Sequence, residues 1–105
     1  MAPPVFSAAE IGEKIGKYLG EVVTVRYQVI GTYDSGDIIF LNSSINYETD
    51  FTAVIFKDDE KYFTRKGIDP VEDYDNATIK VTGELQEYGG PEIVLYHPYQ
   101  VEVIS

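Results

Sequence analysis

The stretch that decides the fold is ATIKVTGELQEYGGPEIVLYHPYQVEVI, residues 77–104. Over residues 79–86, apolar and polar side chains alternate with a period of two, which indicates an antiparallel strand with one buried face. Tyr88–Pro91 is a turn, because glycine adopts positive φ at little cost and proline can open a strand without donating to the ladder. The return strand is interrupted at Pro98 and resumes over residues 101–103. A long hairpin with a bent return strand is typical of a small, strongly curved barrel.

Three further strands are predicted upstream of this hairpin. The first, Val22–Tyr33, alternates in polarity and contains Gly31, which marks a bulge or bend in a long strand. The second and third, Ile38–Asn42 and Phe51–Lys57, are nearly continuously apolar, so periodicity does not show which of their faces points outward. The first strand is expected to bury Val23, Val25, Tyr27 and Val29 on one face, with Thr24, Arg26 and Gln28 on the other.

Two helical segments are predicted. Ser7 and Glu10 form the sequence signature of a capping box that opens a helix over residues 7–18, followed by Gly20 as a stop. A helical insertion is expected over about residues 58–67, between strands three and four, with Asp58 as its cap. In the first helix, the apolar stripe that should lie on the barrel consists of Ile11, Ile15 and Leu19.

Five strands with a helical insertion between the third and fourth match the oligonucleotide/oligosaccharide-binding (OB) architecture. The chain also resembles small bacterial and archaeal OB-fold nucleic-acid-binding domains of the tRNA-anticodon and helicase type. This resemblance implies an all-β fold with short helices, a five-stranded Greek-key barrel in a single domain of residues 1–105. The matching segments are YLGEVVTVRYQVIGTY (18–33), IIFLN (38–42), FTAVIF (51–56) and VTGELQEYGGPEIVLYHPYQVEVI (81–104).

Composition favours a folded chain. The sequence has 105 residues, 44% of them hydrophobic, and contains no cysteine, which excludes disulfides and thiolate metal sites. No apolar run approaches 18 residues, so we expect no membrane span. The N-terminus does not read as a signal peptide, which favours a cytoplasmic location. The oligomeric state is left open.

The net charge of −10, from 18 acidic and 8 basic residues, opposes the ligand class that the resemblance implies. Nucleic-acid binders usually carry a basic surface, because neutralisation of phosphates drives their affinity. An acidic chain can still bind a polyanion if its few basic residues converge on one face. Otherwise the charge keeps the domain soluble and monomeric.

The expected binding surface is the outer face of the middle strands, flanked by the loops after strands one and four. Single-stranded binding needs aromatic rings for base stacking and cations that follow the phosphates. The alternative is that the loop tyrosines pack against the barrel ends and that Arg26 pairs with a carboxylate. The predicted binding residues are Arg26, Gln28, Tyr33, Asn42, Tyr47, Lys80 and Tyr88.

Three other groups are better explained by structure than by function. The basic residues Lys57, Lys61 and Arg65 share a helical face and are a candidate phosphate stripe, although a solvated helix face is the favoured interpretation. The acidic residues of segment 68–76 lack the glycine and terminal glutamate of an EF-hand loop, so a solvated connector is favoured over a metal site. The single histidine, His97, is expected to be structural.

We therefore expect a non-enzymatic domain, without cofactor or metal, that binds single-stranded nucleic acid weakly and with strong salt dependence. The alternative is an acidic OB module that binds a protein or small ligand within a larger assembly, which the charge of −10 favours. A phosphate-ester hydrolase has no support beyond the abundant carboxylates, because no nucleophile motif or phosphate loop is present.

Overall fold

The computed structural model describes residues 2–105, which is the whole predicted domain except residue 1. The protein consists mainly of β-strands in one mixed sheet. Two 3₁₀ turns, Lys57–Asp59 and Pro98–Gln100, join its elements. The helices are α1 (Ala8–Glu13), α2 (Ile15–Tyr18), α3 (Glu60–Thr64) and α4 (Pro70–Asp73). The strands are β1 (Val5–Ser7), β2 (Val22–Gln28), β3 (Gly31–Asp34), β4 (Ile38–Asn42), β5 (Thr52–Phe56), β6 (Thr78–Tyr88), β7 (Gly90–Val94) and β8 (Val101–Val103).

The sheet has the order β1-β2-β6-β7-β5-β4-β3, and β8 pairs with β6. The β1–β2 and β5–β7 pairs are parallel, and the others are antiparallel. Predicted strand one is split into β2 and β3, because the chain changes partner between them: Val29 N donates to Ala77 O, and Ile30 N donates to Asn42 O. The strand ladder is not closed, so the closed five-stranded Greek-key barrel remains a prediction.

The inner face of predicted strand one is confirmed. Val23, Val25 and Val29 are fully buried, and Tyr27 is almost so. Burial raises the pKa of the Tyr27 phenol, whose hydroxyl donates to Leu41 O at 2.8 Å. This hydrogen bond satisfies a polar group that would otherwise be costly to bury.

The N-terminal capping box is also confirmed. Glu10 N donates to Ser7 Oγ at 3.1 Å, and Ser7 N donates to Glu10 Oε1 at 2.8 Å, which lowers the pKa of the Glu10 carboxyl. The helical segment is interrupted at Lys14, so two short helices replace one. Ile11 is buried, but the expectation that Leu19 completes the apolar stripe is wrong. Leu19 leaves the helix with ψ of 127° and is 51% exposed.

The insertion between β5 and β6 begins with the 3₁₀ turn Lys57–Asp59 and continues as α3. The expected cap at Asp58 is wrong, because this residue lies inside the 3₁₀ turn and its side chain makes no capping hydrogen bond. The connector after α3 contains the unpredicted helix α4. Its cap is Asp69, whose Oδ1 accepts from Val71 N and Glu72 N, and Pro70 occupies the first helical turn.

The bent return strand appears as β7, a 3₁₀ turn and β8. Gln100 holds this corner with four hydrogen bonds. Its Nε2 donates to Thr82 O at 3.0 Å and to Val94 O at 3.2 Å. Its Oε1 accepts from the backbone N–H groups of Tyr96 and His97. The chain can therefore leave β7 and return to pair with β6 as β8.

The core lies between the strands and α1, with α3 and α4 supplying further apolar side chains. Among residues 2–105, no helix combines the length and apolar character needed to cross a membrane. The fully buried large side chains include Ile11, Ile39, Leu41, Phe51, Ile55, Phe63, Ile79, Leu85, Ile93 and Leu95.

Candidate nucleic-acid interface

Strand register settles which side chains point outward from β4 and β5. Ile39, Leu41, Ala53 and Ile55 are fully buried in the core, so the alternate residues face the other way. Because directly paired residues lie on the same side of a sheet, the outward side chains form continuous rows across β3, β4, β5 and β7. One row consists of Tyr33, Phe40, Val54 and Val94.

These rows build a surface that we call the aromatic face. A shallow hollow opens on it between the ends of β6 and β7 and the middle of β4 and β5. The aromatic face consists of Tyr33, Ile38, Phe40, Val54, Phe56, Gln86, Tyr88, Glu92, Val94 and Tyr96.

The floor of the hollow is formed by Val54 and Val94. These valines are only 1% and 6% exposed, yet neither belongs to the central core cluster. Their burial therefore comes from larger neighbours that surround them on the outer side of the sheet. Tyr33 and Phe40 are stacked there, with ring centroids 6.3 Å apart and planes 25° apart.

Exposed rings line or border the hollow: Tyr88 and Tyr96 line it, and Tyr33 lies beside it on Phe40. Tyr33 is 60% exposed, Tyr88 72% and Tyr96 55%. Exposed aromatic side chains that share one patch are typical of a binding surface, because scattered apolar residues are normal but contiguous ones are uncommon. Offset rings of this kind can stack on nucleobases or pack against the apolar residues of a protein.

A row of polar side chains crosses the same face. Glu92 pairs with Gln86 on one side and with Thr52 on the other, and Thr52 pairs with Asn42. Partial burial raises the pKa of the Glu92 carboxyl by removing water from its charged form. The Thr52 hydroxyl donates to Asn42 Oδ1 at 2.9 Å, which leaves the Asn42 amide N–H groups available. The row therefore offers both acceptors and donors beside the rings.

The predicted cations lie elsewhere. Arg26 pairs directly with Lys80 across β2 and β6, and Lys80 pairs with Glu102 of β8. Within residues 2–105, neither Arg26 nor Lys80 takes part in an ion pair. Gln28 lies on the same side of β2 as Arg26, opposite Thr78. Together Arg26, Gln28 and Lys80 form a surface that we call the β2–β6 surface.

The structure thus divides the predicted binding residues between two surfaces. Lys80 and Gln86 share a side of β6 but are six residues apart, about 20 Å at 3.3 Å per residue in a strand. The exposed Glu84 lies between them. Tyr33, Asn42 and Tyr88 belong to or border the aromatic face, whereas Arg26, Gln28 and Lys80 do not contribute to its hollow.

Tyr47 lies in the loop between β4 and β5, which packs against the turn between β6 and β7. Glu48 O lies 2.8 Å from the position that a Cβ atom would take on Gly89, and Thr49 O lies closer still to that position on Gly90. Two glycines in succession permit this approach, and Gly89 also has a φ of 79°. Tyr47 is exposed beside this contact and therefore flanks the segment that ends in Tyr88.

The groups expected to be structural have local roles. In the acidic connector, Asp69 caps α4, and Asp73 Oδ2 accepts from Asp69 N at 2.8 Å. Throughout residues 2–105, no three His, Asp or Glu side chains are arranged to hold a metal ion. His97 Nδ1 accepts from Tyr99 N at 3.2 Å and caps the second 3₁₀ turn, which supports the structural interpretation of this residue.

Eight of the ten residues of the aromatic face were missed by sequence reasoning, among them Phe40, Phe56, Glu92 and Tyr96. Phe40 and Phe56 lie in continuous apolar runs, where no alternation marks the outward residue. Glu92 was predictable in principle. It is the only charged residue between Pro91 and Tyr96, and a charge inside a short apolar strand indicates the face that reaches solvent.

Comparison with known proteins gives matches in structure but not in sequence. No family model matches the chain, and no curated protein sequence is significantly similar to it. The structure matches a protein assigned as an aspartyl-tRNA synthetase from Leishmania major Friedlin, with a TM-score of 0.65, 12% identity and 96% of this chain covered. It matches asparaginyl-tRNA synthetase from Pyrococcus horikoshii with a TM-score of 0.60, 20% identity and 95% coverage.

The chain spans 20% and 23% of the length of those two synthetases. A third match, an OBody bound to hen egg-white lysozyme, has a TM-score of 0.62 and 13% identity, and it covers 95% of this chain and 92% of the other. The regions matched in these structures are OB-folds. At such low identity the likeness concerns the fold alone, and the chain therefore has an OB-type fold.

Proposed function

We propose that this domain is a non-catalytic module that binds single-stranded nucleic acid through the aromatic face. The observation that carries the proposal is the combination of stacked, exposed rings with a polar row on one side of an OB-type sheet. Unpaired bases expose both their π-faces and their hydrogen-bonding edges, and these two features of the surface match them.

In this proposal the rings hold the bases. Tyr33, already ordered against Phe40, stacks one base, and Tyr88 stacks another at the opposite rim. Glu92 accepts from the exocyclic amino group of a base, and Asn42 donates to a base oxygen. A duplex would not fit these roles, because its bases are already stacked and paired.

The remaining predicted residues extend the same proposal to longer strands. Arg26 and Lys80 lie side by side on β2 and β6, with Gln28 on the same side of β2. Neither forms an ion pair within residues 2–105, although Glu102 lies opposite Lys80 on β8, so both are suited to contact phosphates. Tyr47 stacks a base that passes the β4–β5 loop. The structural likeness to part of two tRNA synthetases supports a nucleic acid as the ligand class.

The test is a fluorescence-anisotropy titration with labelled oligo-dT and oligo-U, first at low salt and then at about 200 mM salt. We expect Tyr33→Ala and Tyr88→Ala each to weaken binding about 10-fold, as expected for losing one stacked base. The control is Leu19→Ala, which removes an exposed apolar side chain outside the face. Loss of affinity in all three variants, or in none, would contradict the proposal.

The charged residues of the β2–β6 surface are tested separately. Arg26→Glu should weaken binding of long oligonucleotides, and Lys14→Glu, with the same change in charge on the exposed residue between α1 and α2, is its control. Equal effects of the two variants would mean that only net charge matters, and Arg26 would then have no specific role.

A second candidate function is the binding of a protein partner. None of the side chains of the aromatic face is basic, and the chain carries a net charge of −10, so the face suits an apolar or basic protein surface. The matched OBody is bound to lysozyme. If neither oligonucleotide binds at low salt, this alternative becomes the better explanation.

A further inference from the structure

A second group of aromatic side chains lies on α3 and the 3₁₀ turn at Pro98–Gln100. His97 stacks on Tyr99 with centroids 4.2 Å apart and planes 26° apart, and Tyr62 lies 5.9 Å from His97. Tyr99 is 84% exposed, more than any other large hydrophobic or aromatic residue among residues 2–105. An ordered ring pair that is left open to solvent is a preformed stacking surface.

Three cations accompany these rings. Lys61 Nζ and Arg65 Cζ each lie 5.5 Å from the centroid of Tyr62, and Lys66 Nζ lies 5.5 Å from that of Tyr99. Cations at this distance from an aromatic ring interact with its π-face and stay solvent-accessible. We call this group the α3 cluster: Lys61, Tyr62, Arg65, Lys66, His97 and Tyr99.

The local charge of the α3 cluster differs from that of the whole chain. Lys57 does not belong to it, because its ammonium is paired with Asp34 and Glu60, and Lys66 takes its place beside the rings. The Glu60 carboxylate is engaged by that same ion pair. Asp58 and Asp59 in the preceding turn partly offset the charge of the three cations. The α3 cluster nevertheless holds three of the eight basic residues of the chain on one exposed surface.

The α3 cluster and the aromatic face contain residues that are neighbours in the sequence. Tyr96 lines the hollow of that face, and His97 is the next residue. Phe56 is the last residue of β5, and the segment that carries Lys61 follows directly. A strand leaving the hollow past Tyr96 would therefore meet the rings and cations of the α3 cluster.

We propose that the α3 cluster is a second contact site for the same single strand, where Tyr99 stacks one base and Lys61, Arg65 and Lys66 contact its phosphates. The inference rests on the proposed function for the class of ligand. The aromatic face has no basic side chain of its own, and the α3 cluster would supply the missing cations. The sequence favoured a solvated helix face for this segment.

The test is a heteronuclear NMR titration of the full chain with dT8, which reports the two surfaces separately through their backbone amide shifts. We expect shifts at the aromatic face and at the α3 cluster together. Shifts at the face alone would overturn the second site and leave the proposed function intact. Shifts at the α3 cluster alone would support the second site and overturn the proposed role of the face. An absence of shifts at both would overturn both proposals.

Two variants and one control give the magnitude. Tyr99→Ala should weaken dT8 binding about 10-fold, and Lys66→Ala should reduce the slope of log affinity against log salt by about 1. Lys17→Ala is the matched control, because Lys17 makes the same kind of contact with Tyr18, at 5.4 Å, on α2. Equal changes in slope for Lys66→Ala and Lys17→Ala would overturn the proposal.

An abasic phosphodiester of the same length separates stacking from charge. We expect it to bind more weakly than dT8 and to leave the Tyr99 amide unshifted. If it binds as tightly as dT8, the α3 cluster is only a patch of positive charge and the proposed stacking is wrong.

Discussion

Lys57 Nζ lies 2.6 Å from Asp34 Oδ2, which joins the start of the insertion to the end of β3 across 23 residues of sequence. The same ammonium lies 3.1 Å from Glu60 Oε1. Lys57 follows Phe56 of the aromatic face, yet its charge is already shared between two carboxylates. Lys57 is the basic residue nearest in sequence to the aromatic face. Because its charge is neutralised by this ion pair, it adds little positive charge to the edge of the face.

The Lys57 pair should make stability depend on pH through Asp34. The hydrogen bond from Lys57 lowers the pKa of Asp34, so the pair contributes stability above the ordinary aspartate range and loses it as pH falls through the lowered pKa. Asp34→Asn should therefore lower the thermal midpoint slightly at pH 7, and this difference should shrink as pH falls below the reference aspartate pKa of about 3.9. Asp37→Asn, in the following turn, is the control and should leave the midpoint at pH 7 nearly unchanged, because Asp37 forms no ion pair within residues 2–105.

Glu92 should show the opposite sign. Burial raises its pKa, so the folded protein binds a proton more readily than the unfolded chain, and stability falls as pH rises from the ordinary glutamate range to the raised pKa. Glu92→Gln should accordingly raise the midpoint of urea unfolding at pH 7. The gain should disappear below about pH 4, near the reference glutamate pKa.

The paired measurement for Glu92→Gln is binding. If the carboxylate accepts from a base amino group, the variant should lose affinity for oligo-dC and keep its affinity for oligo-dT, because thymine has no exocyclic amino group. If Glu92→Gln is more stable but binds oligo-dC and oligo-dT with unchanged affinity, the Glu92 carboxylate does not hydrogen-bond to a base.

Gly90→Ala should destabilise the fold. A Cβ atom at Gly90 would collide with the backbone carbonyl of Thr49, which cannot rotate away as a side chain can. We expect a loss of about 1–3 kcal/mol in the free energy of unfolding, the range for overpacking. Gly12→Ala, where a Cβ meets no atom within 4 Å, is the control and should be neutral or stabilising by up to about 1 kcal/mol. Equal midpoints for the two variants in urea would contradict this contact.

Gln100→Ala should weaken the corner between β7 and β8. The substitution removes the donor to Thr82 O and Val94 O and the acceptor for two backbone N–H groups. Partly buried groups left without partners should cost about 1–3 kcal/mol of unfolding free energy. Hydrogen exchange should also accelerate in β8. Gln86→Ala on β6, whose side chain makes no hydrogen bond within residues 2–105, is expected to leave both quantities unchanged.

The strands could be predicted from the sequence wherever one face is polar. In β2 and β6, the alternation around Val25 and Val81 fixes both the strand and its buried side, because a period of two has only one amphipathic solution. The capping box at Ser7 and Glu10 was equally local, since both hydrogen bonds lie within one helical turn.

The candidate site could be predicted only in part, because it depends on contacts between distant segments. Phe40 and Val54 become outward residues only through the pairing of β4 with β5, which no local pattern records. The separation of Arg26 from Tyr33 follows from the change of partner at Val29 and Ile30, where one predicted strand divides between two neighbours. The positions of Arg26 and Tyr33 relative to each other could therefore not be predicted without knowing that strand one divides into β2 and β3.

The corner that Gln100 fastens has a consequence for ligands long enough to span two surfaces. Tyr96 on the aromatic face and Tyr99 in the α3 cluster are only three residues apart. Gln100 Oε1 accepts from Tyr96 N and His97 N, and His97 Nδ1 accepts from Tyr99 N. A strand already bound at one surface would meet the other at a high effective concentration, since the ordering of the connecting segment is complete before binding. Loosening this corner would lower avidity for long strands while leaving each surface its own contacts with short ones.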